Sequence, residues 1–458
     1  MSRRVFGIDS GSLTFRGLTV TVLALLMLIP VGMVRGVIDE RSASYQSVVQ
    51  QVAAEWGGEQ TVIGPILLIP VTERWSTLET VASDSAEEKQ IRREATRDDV
   101  VAVLPEMLRI DASLDAERRQ RGIYEAMVYT SQVALKGRFG SPEITAPIGR
   151  TIDVHWDDAT LAIGISAPVG IHGVEPPFIT GGARSAQPGS LLASLPQGMH
   201  WRLRDARALA DNGEFSIEMS LHGSAQIAFA PVGATTRAEI VSKWPHPGFT
   251  GMMPTQRTIN ADGFDATWSV SSLSRSHPQM FTQSNAPPSL SDASLGVRLV
   301  QPVFLYSLND RAVKYAVLFI TLTFVTLLVF ELVTAARVHY VQYALIGAAL
   351  TMFYLLLLAL SEHVGFGWAY AIAAATVVLM ITTYVAAALG RWRRAALVGT
   401  MQTVTYAVLY VILRLEDYAL ITGTVALLVA LAALMYFTRT LSGGPSVAVG
   451  MAASSAAQ

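Results

Sequence analysis

The sequence predicts an α+β membrane protein with three parts. These are an N-terminal transmembrane anchor, a large, mainly antiparallel β domain on the outer side of the membrane, and a C-terminal five-helix transmembrane bundle, six spans in all. Three observations lead there. Of the 458 residues 51% are hydrophobic and only 15% are charged, whereas soluble domains carry about 25% charged residues. One long apolar run lies near the N-terminus, and five follow in close order after residue 310. Between them the apolar residues alternate with polar ones, the period of strands.

The anchor is the uncharged stretch between Arg16 and Arg35. A spanning helix needs about 20 mostly apolar residues, and this stretch approaches that length. Arg3 and Arg4 precede it as in a signal peptide, but no small-residue cleavage site follows, so it reads as an uncleaved anchor. Beyond it Tyr45, Val48, Val49, Val52, Ala53 and Trp56 fall on one face of a helix. Gly57-Gly58 supplies the stop. Packing on its own domain is the expected role of that face; lying on the membrane surface is the alternative.

The pattern then changes to period two. Leu161, Ile163 and Ile165 alternate with other residues, as do Phe215, Ile217, Met219 and Leu221, and Phe264, Ala266, Trp268 and Val270. Residues 61–71, broken by Gly64-Pro65, and 100–104 also read as strands. Short strands with Gly/Pro punctuation predict a sandwich or open barrel. Residues 83–99, dense in both charge signs, and 275–294, rich in Ser, Pro and Asn, are expected to be loops. Two aromatic clusters, Trp56-Gly57-Gly58 with Gly64-Pro65 and Trp244 to Phe249, read as structural corners or as a groove for a ligand.

The late spans are expected at 313–333, 341–360, 366–389, 395–413 and 418–437. Basic residues of the short segments set their orientation. With the N-terminus inside, Arg3, Arg4, Arg16, Arg337, Arg391, Arg393, Arg394 and Arg439 all fall on the inner side, against Arg414 alone on the outer side. The chain accordingly divides into an inner N-terminus and anchor (1–38), an outer β-rich domain with its leading amphipathic helix (39–310), the bundle (311–440) and a disordered inner tail (441–458). Net charge is −2. The acidic excess lies in the 39–310 segment and the basic excess flanks the apolar runs, a distribution that excludes a nucleic-acid binder.

Chemistry is harder to find. With no cysteine, disulfides, thiolate metal sites and cysteine nucleophiles are excluded. No two of the eight histidines lie within five residues of each other, so paired-histidine zinc motifs are absent. Nucleophile-elbow, S-x-x-K and phosphate-loop patterns are absent too. No cofactor or metal is expected. What stands out is a set of ionisable residues at the ends of the spans: Arg311, Lys314, Glu362, His363, Glu416 and Asp417 at the outer boundary, and Glu331 at the other end of the second span. Such groups are costly near a bilayer. Charge pairing that fixes helix register, a polar cavity or proton path, and a metal or hydrolytic site built on carboxylate and imidazole are the three readings.

These segments resemble the CreD family of inner-membrane proteins. Arg311-Ala-Val-Lys314-Tyr315 onward to Glu331 carries the likeness, with Gln342-Tyr343, the run from Phe353 to His363, and Leu415 to Leu420. In the outer domain Trp56-Gly-Gly58, Gly64-Pro65, Arg121-Gly-Ile-Tyr124 and Trp244-Pro-His-Pro247 add to it. The resemblance spans nearly the whole chain. It implies a bacterial inner membrane, a periplasmic outer domain, cytoplasmic termini and a role in cell-envelope integrity tied to the envelope-stress and β-lactam response. It brings no catalytic residues with it. The expected protein is therefore non-enzymatic and supports or senses the envelope. Its partners are the lipid bilayer and an envelope component or membrane protein, with no nucleic acid. A transporter or channel with the outer domain as lid, and a membrane-embedded hydrolase of lipid or cell-wall material, are the competing functions.

Overall fold

The computed structural model describes residues 4–5, 8–9, 13–81, 89–146, 148, 150–300, 305–334, 339–390 and 392–414, with isolated positions between 421 and 435. Glu416, Asp417, the 441–458 tail and most of the 418–437 span therefore lie outside the described residues. The chain forms two compact units: a helical one from residues 1–43 and 303–458, and a sheet-rich one from 44–302. Each follows from its own hydrophobic period.

In the helical unit, α1 (Leu13–Leu26) and α2 (Leu28–Trp56) carry the anchor sequence. The amphipathic segment expected beyond the anchor is the end of α2 itself, because no proline follows Pro30 to break the helix. The spacing holds there: Tyr45, Val48, Val49, Val52, Ala53 and Trp56 are all half-buried, and most of the positions between them are exposed. Four further spans of the sequence appear as α3 (Leu305–Lys314) with α4 (Ala316–Thr334), then α5 (Tyr340–Val364), α6 (Phe366–Leu389) and α7 (Trp392–Arg414). The helical path into the second span thus starts eight residues ahead of the expected Val313, and α3 and α4 meet at a 42° bend. α3 escapes a pure apolar pattern because one of its faces is buried and the other is polar: Tyr306, Leu308, Asn309, Ala312 and Val313 point inward. Four helices are long and apolar enough to cross a membrane, or five if the bent pair counts as one span, among the described residues.

The sheet unit is a sandwich. Its strands are β1 (Gln60–Val81), β2 (Lys89–Val103), β3 (Met107–Arg121), β4 (Tyr124–Arg138), β5 (Arg150–Val154), β6 (Thr160–Ile165), β7 (Ile171–Val174) and β8 (Gly198–Arg202). They continue with β9 (Glu214–Ser224), β10 (Gln226–Phe229), β11 (Thr235–Ser242), β12 (Pro247–Gly251), β13 (Gln256–Asn260), β14 (Gly263–Ser271) and β15 (Leu295–Leu299). One sheet runs β9-β4-β3-β11-β14-β13, with β7 also on β9. The other runs β8-β6-β1-β10-β15-β12, with β2 and β5 also on β1. Pairing is antiparallel except for β1 with β10 and β3 with β11.

Alternation builds the core. Phe215, Ile217, Met219 and Leu221 of β9 face in, as do Phe264, Ala266, Trp268 and Val270 of β14. They join Tyr129, Phe139, Trp201 and Phe229 in one apolar cluster. Each fully buried large side chain contributes about 1.5–3 kcal/mol. Strand β6 departs from the expected alternation, since all six of its residues are buried: as an interior strand between β8 and β1 it is covered on both faces.

One loop expectation is overturned. Of the 83–99 segment, residues 89–99 are strand, paired back along β1 from Val81 to Val71. Exposed residues such as Glu94, Thr96 and Arg97 stand on this hairpin, so it shows charge rather than an apolar period. The 275–294 segment is largely irregular, as expected, with a short strand at Met280–Thr282 on β2.

Candidate functional site

Three polar arrangements stand out, one in the helical unit and two in the sheet unit. In the helical unit the focus is α3. Tyr306 donates its hydroxyl hydrogen to Glu362 Oε1 at 3.0 Å. Asn309, buried on the next turn, donates through Nδ2 to Ser361 Oγ at 3.0 Å and to its own helix at Leu305 O. Ser361 Oγ passes the chain on to Leu358 O at 2.9 Å. Two consecutive residues at the end of α5 thus receive α3. On the other face Asp310 holds Lys314 Nζ at 2.6 Å and Arg35 Nε of α2 at 3.6 Å.

Further along, polar rungs join the helices. Glu331 of α4, buried, accepts from Tyr343 of α5 at 3.3 Å. Thr323 of α4 donates to Gln402 Oε1 of α7 at 3.2 Å, and the Tyr370 hydroxyl of α6 donates to Tyr406 O at 2.8 Å. Between helices in a bilayer such bonds average about 0.6 kcal/mol each. They hold register, and each of the two carboxylates is tied to a phenol.

The residues singled out by sequence are placed as follows. Glu362 meets α3, but through Tyr306. Lys314 turns to Asp310 on its own helix. Arg311 is on the same helix, partly buried, and His363 is exposed. Glu331 sits apart with Tyr343. Glu416 and Asp417 lie outside the described residues. Among the described residues no group of three or more His, Asp or Glu side chains converges to hold a metal ion. Arg35, Tyr306, Asn309 and Asp310 join the site without belonging to any motif of the sequence. The signal available was Asn309-Asp310 just ahead of Arg311, three polar residues in a row at the start of an apolar run.

In the sheet unit the end of α2 is seated in a socket. Trp56 stacks on His222 at 4.5 Å between ring centres with 3° between planes, and His222 stacks on His172 at 4.4 Å. The Arg119 guanidinium lies over the Trp56 ring at 4.0 Å, and Trp56 Nε1 donates to Tyr129 O. Burial, together with the His172 ring and the Arg119 cation, holds the His222 imidazole below its usual pKa, while Glu117 pulls the other way. Under the stack Gln60, fully buried, donates through Nε2 to Gly57 O, Ala167 O and His222 O at 2.9–3.0 Å. Side chains would not fit around it: a Cβ on Gly170 would come 2.2 Å from Gln60 Nε2, and one on Gly223 2.3 Å from the Tyr129 hydroxyl. The turn of the β3–β4 hairpin, where the Arg121-Gly122-Ile123-Tyr124 cluster lies, grips the same helix. Arg121 pairs with Glu55 at 2.9 Å, and Tyr124 meets the Tyr45 ring edge-on at 5.8 Å.

The outer face of the β9-β4-β3-β11 sheet is banded with charge. Lys136, Arg109 and Arg237 lie directly opposite one another across three strands. The neighbouring row carries Glu218, Ala134, Asp111 and Glu239. Like charges placed opposite repel, and the acidic row offsets this: Arg109 pairs with Asp111 at 2.9 Å and Glu239 at 3.5 Å, and Lys136 with Glu218 at 3.7 Å. A cleft of about 740 Å³ lies over this face, with His172 among its lining residues.

The model of the family described as inner membrane protein CreD matches residues 12–442. This chain belongs to the CreD family. Inner membrane protein CreD of Escherichia coli strain K12 is 34% identical over 418 residues, covering 91% of this chain and 90% of that relative. CreD membership makes the chain a multi-pass inner-membrane protein, in keeping with its apolar helices. Among solved structures, a two-domain M1 zinc metallopeptidase is matched over 43% of this chain and 44% of its own, with 11% identity and a TM-score of 0.17; at that level the likeness carries no argument.

Proposed function

We propose that this CreD-family protein supports or senses the state of the cell envelope without catalysing a reaction. In this reading six spans leave both termini in the cytoplasm and the sheet unit in the periplasm. The basic residues clustered on one side of the short segments support that orientation. The partner is an envelope component or a second membrane protein, met by the charge-banded sheet face.

One observation carries the reading. A single uninterrupted helix, α2, pairs through Arg35 with Asp310 in the helical unit and is locked through Trp56 into the socket of the sheet unit. α2 is a covalent link between the two units, so whatever binds the sheet unit is tethered to the membrane through it. The test is Trp56→Ala in cells that depend on the protein under β-lactam stress. The variant should insert at normal abundance and yet behave like a deletion. Normal resistance with a disrupted socket would overturn the reading. Reporter fusions at Gly170 and Arg393 test the orientation, and an outside-active reporter at Arg393 would reverse it.

The buried Glu331–Tyr343 pair favours a second reading, a transporter or channel with the sheet unit as lid. Ion or solute flux in proteoliposomes that is abolished by Glu331→Gln or Glu362→Gln would establish it in place of the first.

A further inference from the structure

We propose that the groove between α6 and α7 is a binding site for one anionic phospholipid, its acyl chain along the groove and its phosphate on Arg414. The groove has a volume of about 1200 Å³. Its walls carry small side chains: Gly367, Ala371 and Ala375 from α6, and Ala396, Thr400 and Ala407 from α7. From Gly367 to Thr382 it extends about 23 Å along α6, at 1.5 Å per residue, more than the roughly 15 Å of one leaflet. A chain lying in it replaces apolar wall contacts that the two helices do not make with each other.

The ends of the groove register it with a bilayer. Trp368 lines one end and Trp392 the other, and both are well exposed, at 73% and 63%. Tryptophans in such positions mark the two headgroup levels, so the groove opens toward lipid. Beside Trp368 lies Arg414. Its Nε and Nη2 donate to the Tyr410 hydroxyl at 3.2 and 3.0 Å, and its guanidinium lies 5.4 Å from that ring centre. The same Nη2 is 3.5 Å from where a Cβ on Gly367 would stand, so the glycine leaves the cation room at the groove mouth.

Charge selects the occupant. Among the described residues no carboxylate lies within ion-pairing distance of Arg414; Glu416 and Asp417, which follow it in sequence, are outside them. Tyr410 accepts two of the five guanidinium N–H donors, which leaves three for an anion. The tyrosine, its oxygen engaged, can donate its own hydroxyl hydrogen to the same anion. A fixed cation with a fork of donors, at headgroup level and at the end of an apolar channel, is the complement of a phosphate carrying a chain.

Native mass spectrometry of the purified, delipidated full-length chain decides this. Phosphatidylglycerol and diacylglycerol of identical acyl chains, which differ by the phosphate headgroup, are added in turn. A charge-assisted bond of about 1.5 kcal/mol or more corresponds to a preference of about tenfold. The wild type should therefore retain one phosphatidylglycerol about tenfold more tightly than diacylglycerol. Arg414→Gln should bring the two to the same level, Arg414→Lys should restore part of the difference, and Ala407→Trp should weaken both. Equal retention by the wild type overturns the proposal even if a variant fails to fold. So does a preference that survives Arg414→Gln, or a photo-crosslinker at Ala371 that captures a second copy of the chain or residues 418–437 instead of lipid.

Discussion

Replacing Gln60 by alanine tests the socket that holds the end of α2. The side chain is fully buried, and its amide hydrogens serve three carbonyls belonging to the helix end, the 166–170 turn and β9. Alanine removes both hydrogens, so at least two carbonyls lose their donor. Each orphaned group costs about 1–3 kcal/mol. The tightly enclosed glycines around the site cannot close the space without moving backbone, and a large-to-small change in a site that cannot collapse adds about 1–2 kcal/mol. Together the loss is about 3–8 kcal/mol. For a unit of this size that is roughly 6–32 °C of melting temperature, at about 2–4 °C per kcal/mol. The assay is tryptophan fluorescence of the full chain in detergent during heating, with Glu59→Gln as control. Glu59 reaches Arg298 only at 3.9 Å, and both are exposed, so the control should shift by about 1 kcal/mol or less. A Gln60→Ala shift no larger than the control would refute the claim that these bonds hold the socket together.

Three further outcomes follow from other residues. The His222 imidazole is held below the ordinary histidine pKa of about 6.5, so its neutral form is the one the fold favours. That stability is present above about pH 6.5 and is lost as pH falls through the lowered value; the melting temperature should drop on acidification, and His222→Gln should flatten the drop. Asp310→Asn removes the negative charge shared by Lys314 and Arg35. Because these groups are partly exposed, the cost should be about 0.5–1 kcal/mol, and Arg35→Asp combined with Asp310→Arg should recover part of it; no recovery would mean the pair is incidental. Arg109→Glu turns a cation shared by Asp111 and Glu239 into a third carboxylate beside them. It should destabilise the sheet unit measurably and weaken crosslinking of an envelope partner to this face, whereas unchanged crosslinking would remove the face from the proposed function.

Much of the architecture was legible because its signals are local. The length of the apolar runs announces α5, α6 and α7 to within a few residues of their observed ends. Phe215 to Leu221 and Phe264 to Val270 declare their buried faces by alternation alone. Reading failed where the local pattern is silent or overridden. The 89–99 strand has no apolar period, because its exposed positions carry charge. α3 carries no run of apolar residues to announce it, because Asn309, Asp310 and Arg311 stand within it. The candidate site was less legible than the fold: Glu362 and Lys314 could be suspected from their cost in a membrane and Asp310 from its place ahead of Arg311, but Tyr306 could not.

By itself the sequence determined a membrane chain with a strand-rich insert and the absence of any thiol chemistry. Those follow from composition and from periods of two and 3.6, which depend on neighbours a few residues apart. Tertiary structure alone decided that Asp310 meets Arg35 across the chain, that β1 runs parallel to β10, and that Gln60 gathers carbonyls from residues 57, 167 and 222. Such meetings are chosen by how whole sheets and helices pack, since a buried donor must find its acceptors wherever the fold brings them.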